Sequence, residues 1–132
     1  MLTSGVDDPR YWPALRSLLR PAHSDDSAHR RGESAQLLLW VSSELAWFDG
    51  HFPGQPLLPA VIQTHWAVTY ARRYLSIAHE FRSLNNLKFS RFILPDSELE
   101  LHLGYDRGRH ELQFEFRQGQ LGCASGRVRF AA

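Results

Sequence analysis

One segment limits the folds open to this chain. Residues 59–75, PAVIQTHWAVTYARRYL, have the length and composition of a long helix, with a proline at the head, where a first helical position has no N–H to lose. Val61, Ile62, Trp66, Ala67, Val68, Tyr70, Ala71 and Leu75 spread over nearly the whole circumference, so this helix is expected to be buried on most sides. Beyond the helix the pattern changes to a period of two. Leu99, Leu101, Leu103 and Tyr105 alternate with Glu98, Glu100 and His102, and Leu112, Phe114 and Phe116 alternate with Glu111, Gln113, Glu115 and Arg117, as in strands with one face inside. A turn at residues 106–108 joins these two, and residues 84–94 and 121–130 read as two more strands. One central helix and then about four antiparallel strands is an α+β plan in which the sheet has to wrap the helix.

Upstream, Asp7 and Asp8 precede Pro9 in a cap-then-proline order, and Trp12, Leu15, Leu18 and Leu19 recur at helical spacing until Pro21. This predicts a short amphipathic N-terminal helix. Residues 21–34, PAHSDDSAHRRGES, are polar and aperiodic and read as a surface linker in which His23 and His29 are solvated. Residues 35–43, AQLLLWVSS, read as a strand. The expected organisation is an N-terminal helix and linker over residues 1–34 and the folded domain over residues 35–132.

With 132 residues, 43% hydrophobic and 22% charged, the chain has the size of one domain with one core. It is too short for a dinucleotide-binding domain joined to a substrate domain, or for a TIM barrel, so a catalytic site here must be compact or shared between chains. A net charge of +1 supplies no field to steer the chain onto nucleic acid or anionic lipid, and neither is an expected partner. Cys123 is the sole cysteine, which excludes an internal disulfide and a cysteine zinc cage and suits a reducing cytoplasm; it reads as a small buried hydrophobe. Residues 1–10 lack a signal-type apolar core and the longest apolar run, residues 37–41, is too short to span a bilayer, so a cytoplasmic, non-membrane protein is expected.

The most informative stretch is residues 50–62, GHFPGQPLLPAVI. His51 is pinned between Gly50 and Pro53 just ahead of a helix N-terminus, where unpaired backbone N–H groups and the helix dipole favour developing negative charge. On these residues alone His51 is either a base beside an oxyanion site or an ordinary hydrogen-bonded loop histidine. A zinc pair of His51 and His65 finds no further ligands at metal spacing, and Asp49 reads as a turn-ordering carboxylate. No metal and no resident cofactor are expected.

The same stretch resembles the signature of the hotdog-fold β-hydroxyacyl-[acyl carrier protein] dehydratases (FabA/FabZ-like), G-H-F-P-x-x-P-x-x-P-G-V with an acidic residue further along the helix. Residues 88–96, KFSRFILPD, with Leu99 and Leu101 after them, are similar to that family's strand after the helix, so the likeness spans about residues 35–130. Gln63-Thr64-His65-Trp66-Ala67 is most similar to the branch found in aryl-polyene pigment clusters (ApeI-like). The resemblance implies a long helix wrapped by an antiparallel sheet, and a homodimer or a heterodimer with another hotdog subunit in which each site uses residues of both chains. It implies a 3-hydroxyacyl group on the phosphopantetheine arm of an acyl carrier protein, converted to the trans-2-enoyl thioester and water in fatty-acid-like, aryl-polyene or polyketide synthesis. Carried over by position, His51 removes the C2 proton and Ala60 stands for the glycine whose N–H polarises the thioester carbonyl, with Phe52, Pro59, Val61 and Trp66 as substrate-binding neighbours.

Two positions depart from the family pattern. Ala60 keeps the backbone N–H, and polarisation survives if its φ is negative. His65, fourteen residues after His51, stands where the family has its catalytic Glu or Asp. Neutral imidazole is a far weaker acid than a carboxylic acid, so His65 has to be imidazolium to protonate the departing hydroxyl, beside a neutral His51. Two nearby imidazoles resist double protonation, which implies a narrow pH optimum. The other readings are a non-catalytic hotdog subunit that supports an active partner, and a hotdog thioesterase, which the H-F-P-x-x-P loop disfavours. Phe48, Phe52, Trp66 and Phe89 read either as an acyl or aryl tunnel or as packing. Arg72, Arg73, Arg82, Lys88 and Arg91 read either as a face for an acidic carrier protein or as solvated charge.

Overall fold

A computed structural model describes residues 8–19, 32–48 and 58–132. The elements are β1 (Ala14–Leu19), β2 (Gly32–Val41), a short 3-10 helix (Ala46–Phe48), α1 (Ala60–Leu75), β3 (Phe81–Phe89), β4 (Ser97–Asp106), β5 (Glu111–Gln118) and β6 (Leu121–Phe130). The strands form one six-stranded sheet in the order β1-β2-β4-β5-β6-β3, antiparallel at every pairing. Its register stacks the alternating apolar positions into rows. Leu37 pairs with Leu101, Leu101 with Phe116 and Phe116 with Ala124; Ala35, Leu103, Phe114 and Gly126 form the next row. These rows are buried, and α1 lies against β2 and β4. A single helix backed by an antiparallel sheet is the hotdog architecture that the sequence resemblance implies.

The helix is buried on one face rather than most of its circumference. Gln63, Trp66, Ala67, Tyr70, Ala71 and Leu75 are buried, the i, i+3, i+4, i+7 stripe of a helix on a sheet. Val61 is 72% exposed, and Ala60, His65 and Arg73 are exposed as well. One sheet covers one side of a helix, so the apolar residues on the other side are left open within this chain. The helix stops at Ser76, which adopts the left-handed conformation (φ 55°, ψ 49°). The Leu75 carbonyl, orphaned in the last turn, accepts from Arg107 at 2.7 Å, and Arg72 donates past the helix end to the carbonyls of Ile77 at 3.3 Å and His79 at 2.9 Å.

Among the described residues 8–19, where an N-terminal helix is predicted, no α-helix forms. Residues 14–19 are β1, paired with β2. Pro13 explains the difference: in a helix begun at Pro9 its ring would meet the Pro9 carbonyl one turn back, and it also pushes Trp12 to extended backbone. The exposed hydrogen-bonding edge of β2 takes the freed segment as a strand. The expected linker also ends early. Gly32, Glu33 and Ser34 pair with Asp106, Tyr105 and Gly104 as the start of β2, and Arg107 grips Glu33 through two nitrogens. The sheet therefore crosses the expected boundary at residue 34 in both directions. His23 and His29 lie outside the described residues. β3 begins and ends earlier than expected, so Phe92 and Leu94 come after the strand. No helix among the described residues is long and apolar enough to cross a membrane.

Candidate active site

Among the sequence-derived site residues, His51, Phe52 and Asp49 lie outside the described residues, whereas Pro59, Ala60, Val61, His65 and Trp66 are described. Pro59 is the N-cap of α1, with extended backbone (φ −62°, ψ 145°) and no side-chain cap. The first bonds of the helix run from the N–H groups of Ile62 and Gln63 to the Pro59 carbonyl, at 3.1 and 3.2 Å. The N–H groups of Ala60 and Val61 stand ahead of that first bond, where helix geometry leaves donors without an intrahelical acceptor. Ala60 is helical and is not among the residues with positive φ, so an alanine at this position carries no left-handed backbone strain.

The approach to that helix end is held from two sides. The Leu58 N–H donates to the Ile93 carbonyl at 3.4 Å, and the Leu58 carbonyl accepts from the buried Gln63 amide at 3.2 Å. Gln63 is 3% exposed, and among the described residues its Oε1 has no hydrogen-bond partner. Sequence reasoning missed Gln63, although it is the one polar residue on the stripe with Trp66, Ala67 and Tyr70.

His65 is exposed on the face that also carries Val61, one turn earlier. Its ring meets the indole of Trp12, centroids 5.4 Å apart and planes at 49°. Trp66, expected beside the substrate, is fully buried, and its indole N–H donates to the Tyr11 carbonyl at 3.2 Å; its position is that of a core residue fastening the N-terminal segment. Phe48 is also core, at 7% exposure, whereas Phe89 is 42% exposed. The described members of the suggested aromatic tunnel are thus divided between the core and the sheet edge.

Of the candidate cations, Arg72 is committed to the carbonyls after α1 and lies 5.2 Å from the Phe130 ring. Arg73 sits over Tyr74, at 5.8 Å, and Arg82, Lys88 and Arg91 are exposed. Cys123 is 1% exposed, and burial pushes its thiol up, which leaves it a neutral core side chain rather than a nucleophile. Among the described residues no three His, Cys, Asp or Glu side chains converge to hold a metal ion.

The geometry has close counterparts. The dehydratase heterocomplex ApeI:P from Xenorhabdus doucetiae superposes with a TM-score of 0.78 at 30% identity, over 91% of this chain and 98% of that one. An uncharacterized protein from Erwinia carotovora subsp. atroseptica does so with a TM-score of 0.78 at 32% identity, over 90% and 95%. The 3-hydroxyacyl-[acyl-carrier-protein] dehydratase FabZ of Rhodospirillum rubrum is 30% identical over 88 residues, 60% of this chain and 55% of that protein. The chain spans about half the length of the curated relatives it matches. Residues 27–127 match the ApeI-like family, an extent that takes in β2, α1 and nearly all of β3 to β6, and on this basis the chain belongs to the ApeI dehydratase family.

Proposed function

We propose that the protein dehydrates a 3-hydroxyacyl thioester carried on the phosphopantetheine arm of an acyl carrier protein, releasing water and the trans-2-enoyl thioester. The observation that carries this reading is the start of α1 at Ala60. The G-H-F-P-x-x-P-x-x-P motif ends on a helix with no side-chain cap, so its first N–H groups are offered to a developing oxyanion. Neutral His51 takes the C2 proton. The electron pair moves toward the thioester carbonyl oxygen, which the Ala60 N–H stabilises. As the C3–O bond breaks, the imidazolium of His65 donates the proton that completes water. One histidine has then gained a proton and the other lost one, and return of that proton restores the starting state.

His65 and Val61 face outward within one chain, and on this reading a second chain meets them. On β3 and just after it, Phe81, Leu87, Phe89, Phe92 and Leu94 are 41–65% exposed, and among the described residues this edge has no further strand partner, an edge of a kind that soluble chains cover. A second hotdog subunit pairing there closes the sheet and supplies the opposite wall, with His51 of one chain meeting His65 of the other; the Xenorhabdus relative, itself a dehydratase heterocomplex, supports pairing of this kind. Exposed Arg82, Lys88 and Arg91 supply cations for an acidic carrier protein, in a cytoplasmic fatty-acid-like, aryl-polyene or polyketide pathway.

The test is interconversion of 3-hydroxyacyl and enoyl carrier thioesters by the purified protein. His51→Ala should abolish turnover, and His65→Gln should lower it by about 10²–10⁴-fold, the usual worth of a general acid. Activity that appears only when a second hotdog subunit supplies the working histidines would favour a supporting role. Release of free thiol would favour a thioesterase.

A further inference from the structure

We infer that Trp12 is a positioning residue for His65. This inference rests on the reading of His65 as the acid, and it assigns a part in catalysis to the N-terminal segment that no sequence motif marks.

An exposed histidine on a helix can sample several rotamers, yet an acid has to sit within hydrogen-bond reach of one oxygen. His65 is exposed on the outer face of α1. Its ring contact with an aromatic partner is with Trp12, at 5.4 Å. Trp12 is itself 7% exposed, stacked on Trp66 at 6.1 Å and set edge-on to Tyr70 at 5.4 Å. Both rings belong to the buried stripe of α1, so the surface that meets His65 is anchored in the same helix that carries it.

The backbone beneath Trp12 is fastened at several points. The Tyr11 carbonyl accepts from two indoles, Trp47 Nε1 at 2.7 Å and Trp66 Nε1 at 3.2 Å. The Asp8 carbonyl accepts the N–H groups of Tyr11 and Trp12 at 3.1 and 3.0 Å, and the Arg10 carbonyl accepts from Ala46 at 2.8 Å. The Asp8 carboxylate accepts the Arg10 backbone N–H and its guanidinium Nε and Nη2 at 2.9–3.1 Å. Residues 8–12 thus form a clasp across α1 and the 3-10 helix, and its tip is the indole against His65. A side chain so backed is restricted before substrate arrives, and misplacement of a catalytic group by about 1 Å can cost 10²-fold in rate.

Trp12→Leu and Trp12→Phe, measured in the intact protein, test this. Trp12→Leu should lower kcat by about tenfold or more with KM within about twofold, because the group lost acts on the reacting geometry rather than on substrate binding. Trp12→Phe, which retains a ring face, should restore most of kcat. In NMR spectra the His65 ring protons should lose their aromatic ring-current shift in Trp12→Leu and keep it in Trp12→Phe. In a His65→Gln background Trp12→Leu should cost nothing further, since there is no imidazole left to place. Unchanged kcat in Trp12→Leu, equal losses in the two Trp12 variants, or losses that add to those of His65→Gln would each overturn the inference. Full activity of His65→Gln alone would instead overturn the reading of His65 as the acid.

Discussion

At the scale of the residue, Gln63 links stability to chemistry. Its amide holds the Leu58 carbonyl two residues before the helix begins, while its own oxygen is buried without a partner among the described residues. Gln63→Met removes a hydrogen bond worth about 1 kcal/mol, but it also removes an unsatisfied acceptor of comparable cost. The two effects nearly cancel. Urea unfolding should therefore change by less than about 1 kcal/mol, while, on the proposed role of the Ala60 N–H, kcat falls about tenfold as that group loses its bracing; a large stability loss with unchanged kcat would refute this. How much of such a site is legible in sequence depends on the kind of contact. Gln63 is visible as the polar member of an apolar stripe. Its partner is a backbone carbonyl, and no side-chain pattern records where a carbonyl points. The contact of Trp12 with His65 crosses from the N-terminal segment to the helix, so no local spacing encodes it either.

At the scale of the element, α1, the strand expected at residues 35–43 and the alternating segments after the helix were readable, and residues 12–19 were not. α1 and β4 to β6 carry period and polarity over many residues, and they appear where expected, with the helix starting one residue after Pro59. Residues 12–19 carry an equally regular helical spacing of apolar residues, but Pro13 and an unsatisfied sheet edge outweigh it, and β1 forms. Local propensity amounts to a few tenths of a kcal/mol per residue, which a row of backbone hydrogen bonds and a steric clash exceed. Within the sheet, Gly126 marks a place where three strands converge. A Cβ there would lie 2.9 Å from two carbons of the Phe114 ring and 3.0 Å from Leu87 Cδ1. Gly126→Ala should thus destabilise by about 1–3 kcal/mol, the usual cost of overpacking. Gly104→Ala meets nothing within 4 Å and serves as its control in the same thermal melts; equal melting temperatures for the two would contradict the packing argument.

At the scale of the whole molecule, one chain is a helix covered on one side and a sheet with an open edge. Phe89, 42% exposed on β3, is placed to test how that edge is used. If the proposed pairing at this edge holds, Phe89→Lys should shift the protein from dimer to monomer in light scattering and reduce dehydration with it, because the two proposed histidines of a shared site would then be separated; an unchanged dimer would move the interface elsewhere. By itself the sequence determined the α+β plan, the position of the long helix and the strands after it, and the motif that ends on Ala60, since periodicity, proline placement and short-range spacing are local properties. Only the tertiary structure decided that residues 14–19 are a strand, that Trp66 is core, that Trp12 backs His65 and that half of α1 stays open. Those outcomes depend on which surfaces meet across the fold, and the energies of such meetings belong to pairs of distant residues.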